Sequence, residues 1–265
     1  MSYSIFKIIV SLINIVGWIR YIFRFPFNLK MRGVLKDNLK LTENSKNGVC
    51  YLCGLGPSLS EVNLDNLIGE DVLVVNRFYR MADKTNLQPK YYLMVDNAVV
   101  EETHKDILAT AVKTYPNSNF IFKTNFLTVN KKLKTEVKNS YYISSYKGYF
   151  SGNEELRIDK IMPALSNSVS VAIAFLMAIG YKKIVLLGCD FNSFASLKRV
   201  HCYDKNEKRY ISISQELFGF SFVAYEHMCL AKYAKKHGIE VVNGTANSLI
   251  DAYPFEIDKT LYIAK

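Results

Sequence analysis

Val49-Cys50-Tyr51-Leu52-Cys53-Gly54-Leu55-Gly56-Pro57-Ser58 is an apolar run of strand length that breaks on two glycines, a proline and a serine. Five more runs follow the same plan. They are Val72 to Val75 before Asn76, Tyr91 to Val95 before Asp96-Asn97, Phe120 to Phe122 before Lys123, Ile184 to Leu187 before Gly188-Cys189-Asp190, and Ile239 to Val242 before Asn243-Gly244. Short continuous apolar runs alternating with helical patterns predict the buried strands of a parallel sheet. The chain is therefore expected to be α/β, a Rossmann-like parallel sheet with helices on both faces. Its small and polar residues would gather at the carboxyl ends of the strands, where open sheets bind ligands.

Between the strands, Ser170 to Ile179 is apolar nearly all round and stops at Gly180. That predicts a buried helix with Asn167 or Ser168 as its N-cap and a glycine stop. Phe222 to Lys236 reads as an amphipathic helix leading through His237-Gly238 into the last strand. Residues 124–163 and 192–220 break the rhythm with polar and aromatic sequence, and are expected to form lid or acceptor insertions.

The first 25 residues predict a helix whose apolar positions are interrupted every three or four residues by Ser4, Lys7, Ser11, Asn14, Gly17, Tyr21 and Arg24. Only twelve uncharged residues separate Lys7 from Arg20, whereas a membrane span needs about 20. The segment is expected to be an amphipathic anchor lying in the membrane interface, with a true span or a helix packed on this chain or a homo-oligomer partner as alternatives. Pro26 is expected to end it, residues 26–47 to form a basic linker with one helical turn or two, and residues 48–265 to form the catalytic domain.

With 265 residues and a net charge of +10, the chain is long enough for a sizeable core and favours an acidic partner. Lys7, Arg20, Arg24, Lys30, Arg32, Lys36 and Lys40 stand against Asp37 in the first 40 residues, so the excess points to an anionic membrane surface. No nucleic-acid motif appears. Cys50, Cys53, Cys189, Cys202 and Cys229 are odd in number and four of them lie in or beside core elements, which suggests a reducing compartment. Cys50 and Cys53 lack the second pair or nearby histidine that a zinc site needs.

The loop Gly54 to Ser58 can bring backbone N–H groups to a phosphate, but it lacks the third glycine of a dinucleotide fingerprint and the lysine of a P-loop. Asn76 and Asn97 offer a donor and an acceptor each for a ribose or base. Asp190 could orient a ligand, hold a metal or cap a loop. His201 is the candidate general base, because histidine works near neutral pH. His104, His227 and His237 sit on or beside helices and are read as structural.

In chain order, Gly56-Pro57-Ser58-Leu59, Val75-Asn76-Arg77-Phe78-Tyr79, Ser168 through Ile179-Gly180-Tyr181-Lys182-Lys183-Ile184, Gly188-Cys189-Asp190-Phe191 and Asn247-Ser248-Leu249 resemble the bacterial sialyltransferases of glycosyltransferase family 42. They equally resemble the domain of unknown function 115 group, which includes pterin diphosphokinase-like proteins and flagellin glycosylation factors. The resemblance covers about residues 48–255. It implies a CMP-linked nucleotide-sugar donor, transfer with inversion and no required metal. Under it, Gly54, Gly56, Pro57 and Ser58 cradle the nucleotide, and Asn76 and Asn97 contact nucleotide or sugar. Ser168 meets the donor carboxylate, with Asp96, Asn167, Phe191 and Asn192 also in the donor site.

The chain departs from that pattern at Leu55, Leu165, Asn167 and Asn192, and no histidine stands where the family carries its base, near Gly219, Phe220 and Ser221. His201 is expected to take over as base, Tyr203 or Tyr210 to support the leaving phosphate, and Asp190 to assist. The expectation is a membrane-associated glycosyltransferase at the cytoplasmic face of the bacterial inner membrane, acting on a surface polysaccharide or lipid-linked glycan. Two alternatives stand beside it. One is a diphosphokinase with magnesium held by Asp96 and Asp190, the other a non-catalytic glycan-binding or assembly module.

Overall fold

The computed structural model describes residues 3–23, 25–44, 48–96, 105–127, 137–145, 147–198, 200–204 and 211–263. Its centre is a sheet of seven parallel strands: β1 (Val49–Cys53), β2 (Asp71–Val75), β3 (Tyr91–Met94), β4 (Asn119–Lys123), β5 (Ser140–Ile143), β8 (Lys183–Leu187) and β9 (Glu240–Asn243). The spatial order is β5-β4-β3-β2-β1-β8-β9, with every neighbouring pair parallel. All six expected strands are present. The seventh, β5, lies inside a stretch expected to be a lid, because its Ser-Tyr-Tyr-Ile sequence does not carry a continuous apolar run. Two short strands, β6 (Lys147–Tyr149) and β7 (Pro163–Ala164), pair parallel in a separate sheet.

The two faces of the sheet are covered differently. On one, Leu52, Leu73, Leu93 and Leu186 pack with Phe175 and Leu176 of helix α4 (Ser168–Ile179) and with Leu230 of α5 (Ile213–Lys236). On the other, Val72, Val74 and Phe120 pack with Leu108 of α3 (Lys105–Thr114) and with Leu59, Leu67 and Phe78 from short 3-10 turns. Helices on both faces were expected. In the structure the second face is built mostly from 3-10 turns, because Gly56-Pro57 and the capping Asn63 start short turns rather than long helices.

The buried helix α4 forms as expected. Asn167 is its N-cap, accepting from the Val169 N–H at 2.7 Å, and Gly180 closes it at φ 108. The helix α5 begins at Ile213, nine residues before Phe222. A reciprocal pair between Ser212 and Gln215 caps it there, so residues 213–220 are helical rather than lid.

The N-terminal region also differs from expectation. Helix α1 (Tyr3–Phe23) is followed by a second helix, α2 (Phe25–Lys36), and a 3-10 stretch (Asp37–Asn44) rather than a linker. Pro26 lies in the first turn of α2, where its missing N–H has no intrahelical partner to lose. Met31, Leu35, Asn38 and Leu41 recur at helical spacing and are all buried. One side of α1 docks on the domain: Phe6 meets the rings of Phe222 and Tyr225 at 5.1 and 5.6 Å, and Val10 is buried. Among the described residues no helix is long and apolar enough to cross a membrane.

Asn38 ties this region to the sheet. Its amide donates to the carbonyls of Tyr142 and Ile158 at 2.7 and 2.8 Å and accepts from the Tyr142 N–H at 3.3 Å. Replacing it with alanine strands buried backbone groups, which costs about 2–4 kcal/mol. Asn38→Ala is expected to lower the urea midpoint accordingly; an unchanged midpoint would show that β5 is not anchored by this residue.

Candidate functional site

The strand order reverses beside β1. From β1 the chain steps outward through β2, β3, β4 and β5, then returns to place β8 and β9 on the other flank. Such a switch point leaves a crevice above adjoining strand ends, because the connections diverge to either side. Here it lies between the loop after β1 and the loop after β8.

Those two loops touch backbone to backbone. Gly54 donates to Leu187 O at 2.7 Å and Gly56 to Gly188 O at 2.8 Å. A Cβ on Gly54 would collide with the Gly188 carbonyl, and one on Gly56 with the Asp190 carboxylate. The Asp190 carboxylate accepts from the Ser58 hydroxyl at 2.7 Å and from the Ser58 N–H at 3.3 and 3.4 Å. Burial pushes the Asp190 carboxyl above the usual carboxylate range, with the Ser58 hydrogen bonds pulling the other way. The N–H groups of Gly54, Gly56 and Ser58 thus bind protein atoms. Leu55, Gly56 and Pro57 still line the cleft.

Across the crevice, Asn76 sits at φ 45, a left-handed conformation that asparagine tolerates well. Its Nδ2 donates to Ser168 Oγ at 2.9 Å, and its Oδ1 accepts from the Val95 and Asp96 N–H groups at 3.4 Å. This ties the ends of β2 and β3 to the start of α4. With the Ser168 oxygen accepting from Asn76, its O–H can point elsewhere. Together these loops enclose a cleft of about 220 Å³, whose walls include Asn76, Asn167, Ser168, Phe191, Asn192 and His201.

Most of the expected site residues therefore converge. Asp96 is exposed at the end of β3 and is not in the cleft wall. Asn97 and Tyr210 lie outside the described residues. Tyr203 is not in the cleft wall either. Its ring stacks on His201 at 5.1 Å and 14°, with the Arg80 guanidinium 4.5 Å from its centroid. His201 Nδ1 lies 3.3 Å from the Leu55 carbonyl. If it donates there, Nε2 is the acceptor nitrogen. Among the described residues no group of three or more His, Cys, Asp or Glu side chains could hold a metal ion.

Two residues of α5 were not expected in the site: Glu226 was not singled out, and His227 was read as structural. Glu226, fully buried, accepts from the Ser166 N–H and hydroxyl at 2.7 and 2.6 Å and from the Ser170 hydroxyl at 2.8 Å. It is a buried anion at the N-terminus of α4, and burial holds its carboxyl above the usual range. His227 is 1% exposed and forms part of the cleft wall. Its Nδ1 lies 3.1 Å from the Tyr253 hydroxyl, and its Nε2 is buried with no partner among the described residues. Burial depresses its pKa from 6.5 to about 4. The sequence did hold a signal, since both polar residues fall on the apolar face of α5, between Val223 and Leu230.

No family model matches the chain, and no curated protein does. The fold is similar to that of the sialyltransferase CstII from Campylobacter jejuni, solved with the substrate analogue cytidine-5'-monophosphate. Identity is 17% and the TM-score 0.50, over 83% of this chain and 88% of that one. A variant of sialyltransferase Cst-II in complex with CMP gives a TM-score of 0.51 at 17% identity, over 82% of this chain and 89% of that one. The MAf glycosyltransferase from Magnetospirillum magneticum AMB-1 gives 0.51 at 12% identity, over 85% of this chain and 38% of that one. At these identities the likeness establishes the fold.

Gly56→Ala is expected to lose about 2–4 kcal/mol of stability, because a methyl group there must displace Asp190. A thermal or urea midpoint equal to that of the parent would overturn the packing described. A second expectation concerns acid. An unfolded chain takes up a proton at His227 near pH 6.5, whereas the folded one waits until about pH 4. Stability is therefore present above pH 6.5 and lost as the pH falls to about 4, by roughly 3 kcal/mol at most. His227→Phe should flatten that part of the stability profile, and an unaltered slope between those limits would refute it.

Proposed function

We propose that this protein is a glycosyltransferase that takes a CMP-linked sugar and transfers it with inversion to a hydroxyl of a surface polysaccharide or glycolipid. The observation that carries the reading is the cleft itself. It lies at the switch point of a sialyltransferase-like fold and is walled by hydroxyl, amide and imidazole groups. The neighbour of known complex binds CMP or its analogue; no essential metal is assumed for this chain.

Chemically, the acceptor oxygen bonds to the anomeric carbon while the bond from that carbon to the phosphate oxygen breaks, and the electron pair leaves with CMP. The acceptor's proton goes to His201, whose Nε2 is the acceptor when Nδ1 donates to Leu55. Tyr203, stacked on the ring, positions that histidine. Ser168 O–H and the first turn of α4 offer donors to the donor sugar's anionic groups, where developing charge on the leaving phosphate is stabilised. The depressed pKa of His227 makes it a weak base. It serves the reading better as a neutral floor group that hydrogen-bonds a bound ligand. Asp190, held by Ser58, acts by fixing the two loops.

The N-terminal helices support an interfacial position on anionic lipid, at the cytoplasmic face of the membrane. Ile8, Leu12, Ile15, Ile19, Ile22 and Phe23 are 46–82% exposed along one side of α1. Lys30, Arg32 and Lys36 are exposed on α2. An apolar stripe beside a cluster of cations suits the headgroup boundary. The five cysteines are all free and buried, which fits a reducing compartment.

Calorimetric titration of the full chain with CMP, UDP, GDP and ATP, with and without magnesium, tests the reading. Metal-independent binding of CMP is expected, weakened on the order of tenfold by Ser168→Ala, the loss of about one hydrogen bond to a charged group. Magnesium-dependent binding of ATP in preference to CMP would move the assignment to phosphoryl transfer.

A further inference from the structure

A second pocket lies at the same edge of the sheet, outside the cleft. About 250 Å³ in volume, it is walled by Lys123, Thr124, Asn125, Ile143, Ser145, Ala164 and Leu165, at the carboxyl ends of β4 and β5. Two features mark it as built for an anion. Thr124 is 2% exposed, yet its hydroxyl has no partner among the described residues. Burying a hydroxyl without a partner costs free energy, which a rotation about χ1 toward a ligand oxygen in the pocket would recover. Lys123 brings a cation into the same wall, and it is half-buried, with desolvation lowering its pKa while Asp96 opposes that.

Ser145 and Ala164 also belong to the wall of a larger groove, about 820 Å³, that runs between α1 and the β6–β7 pair. Leu12, Ile13, Val16 and Tyr149 make it apolar, and Arg20 stands in its wall. Leu12 and Val16 are at the same time 57% and 48% exposed on the outward side of α1. The groove thus opens beside the surface assigned above to lipid, and its inner end shares a wall with the Lys123 pocket. On the far side, Leu165 is followed within three residues by Asn167 and Ser168 of the nucleotide cleft.

We propose that this pocket and groove bind the lipid phosphate of a lipid-linked acceptor, with the hydrocarbon chain against α1 and the phosphate at Lys123 and Thr124. An apolar groove with Arg20 in its wall, beside a pocket that carries Lys123, is complementary to a phosphate on a hydrocarbon chain. The chain leaves the membrane along α1, the phosphate stops at the edge of the sheet, and the attached sugar is directed toward the donor cleft. That the lipid carries an acceptor rests on the glycosyl-transfer reading. The binding site does not, and it is tested without nucleotide.

The probe is dodecyl phosphate below its micelle concentration, titrated calorimetrically into the full chain, beside dodecanol, dodecylphosphocholine and inorganic phosphate. Saturable binding of dodecyl phosphate is expected, on the order of tenfold tighter than dodecanol or dodecylphosphocholine. Lys123→Gln should abolish that preference. Val16→Trp, at an exposed position, should weaken binding of dodecyl phosphate by obstructing the groove. Lys236→Gln, an exposed cation at the end of α5 outside both walls, should leave it unchanged. Circular dichroism and thermal melting confirm that each variant is folded. Equal binding by the parent and Lys123→Gln, or equal affinity for dodecyl phosphate and dodecylphosphocholine, overturns the proposal. Binding of CMP with no binding of dodecyl phosphate sinks this site alone, and the reverse result sinks the donor reading alone.

Discussion

Backbone meets backbone where the loop after β1 crosses the loop after β8, and the site is arranged around that contact. Gly54 and Gly56 approach Gly188 so closely that no side chain fits at either position. The approach brings the Asp190 carboxylate within reach of both donors of Ser58. A buried carboxylate is tolerable only when its lone pairs are satisfied, and Ser58 supplies charge-assisted hydrogen bonds for that purpose. One consequence is that this glycine loop is not a free anion cradle of the P-loop kind. It shapes one wall of the crevice, and the donors for a ligand come from the opposite wall.

That opposite wall is held with equal care. The start of α4 carries Asn167 as cap, Ser168 toward the cleft and Ser170 toward the interior, and Glu226 gathers the inner hydroxyl together with Ser166. The negative charge of Glu226 lies at the positive end of the helix, so the terminus is partly compensated before any ligand arrives. An anionic ligand there must therefore rely on Ser168 and on donors from the rim more than on the helix dipole. Asn76, in its left-handed conformation, fixes the Ser168 oxygen and so directs the hydroxyl.

How much of this was legible follows from where the signals are local. Six strands declare themselves by continuous apolar runs, because both faces of each are buried, and the buried helix α4 does so by having no polar face. The edge strand β5 does not, since Ser140 and Tyr141 are only half-buried and the run is broken. Helix α2 was hidden by Pro26, which reads as a stop from sequence although the first helical turn accepts it. Glu226 was not singled out and His227 was read as structural, because burial, the property that matters for both, depends on α4 and Tyr253, elements distant in sequence. Asp190 was seen, but not which of its roles the fold selects; that required knowing that Ser58, 132 residues away, is opposite it.

The N-terminal helix joins these observations. It is amphipathic in sequence, and an amphipathic helix needs one apolar contact to account for its pattern, yet α1 has apolar residues on two sides. Phe6 and Val10 face the domain, while Ile8, Ile15, Ile19 and Ile22 face outward. An outward row of that size would be a liability for a helix whose role was only to cover the domain. The inner contact is also incomplete: α1 closes on β6 where Asn14 meets Gly148, yet beside Leu12, Val16 and Arg20 it leaves a groove of about 820 Å³. Under the lipid-phosphate proposal, the apolar residues outward, the groove inward and the cations at Arg20 and Lys123 would form one arrangement, with α1 as both the surface that meets lipid and one wall of the acceptor's path.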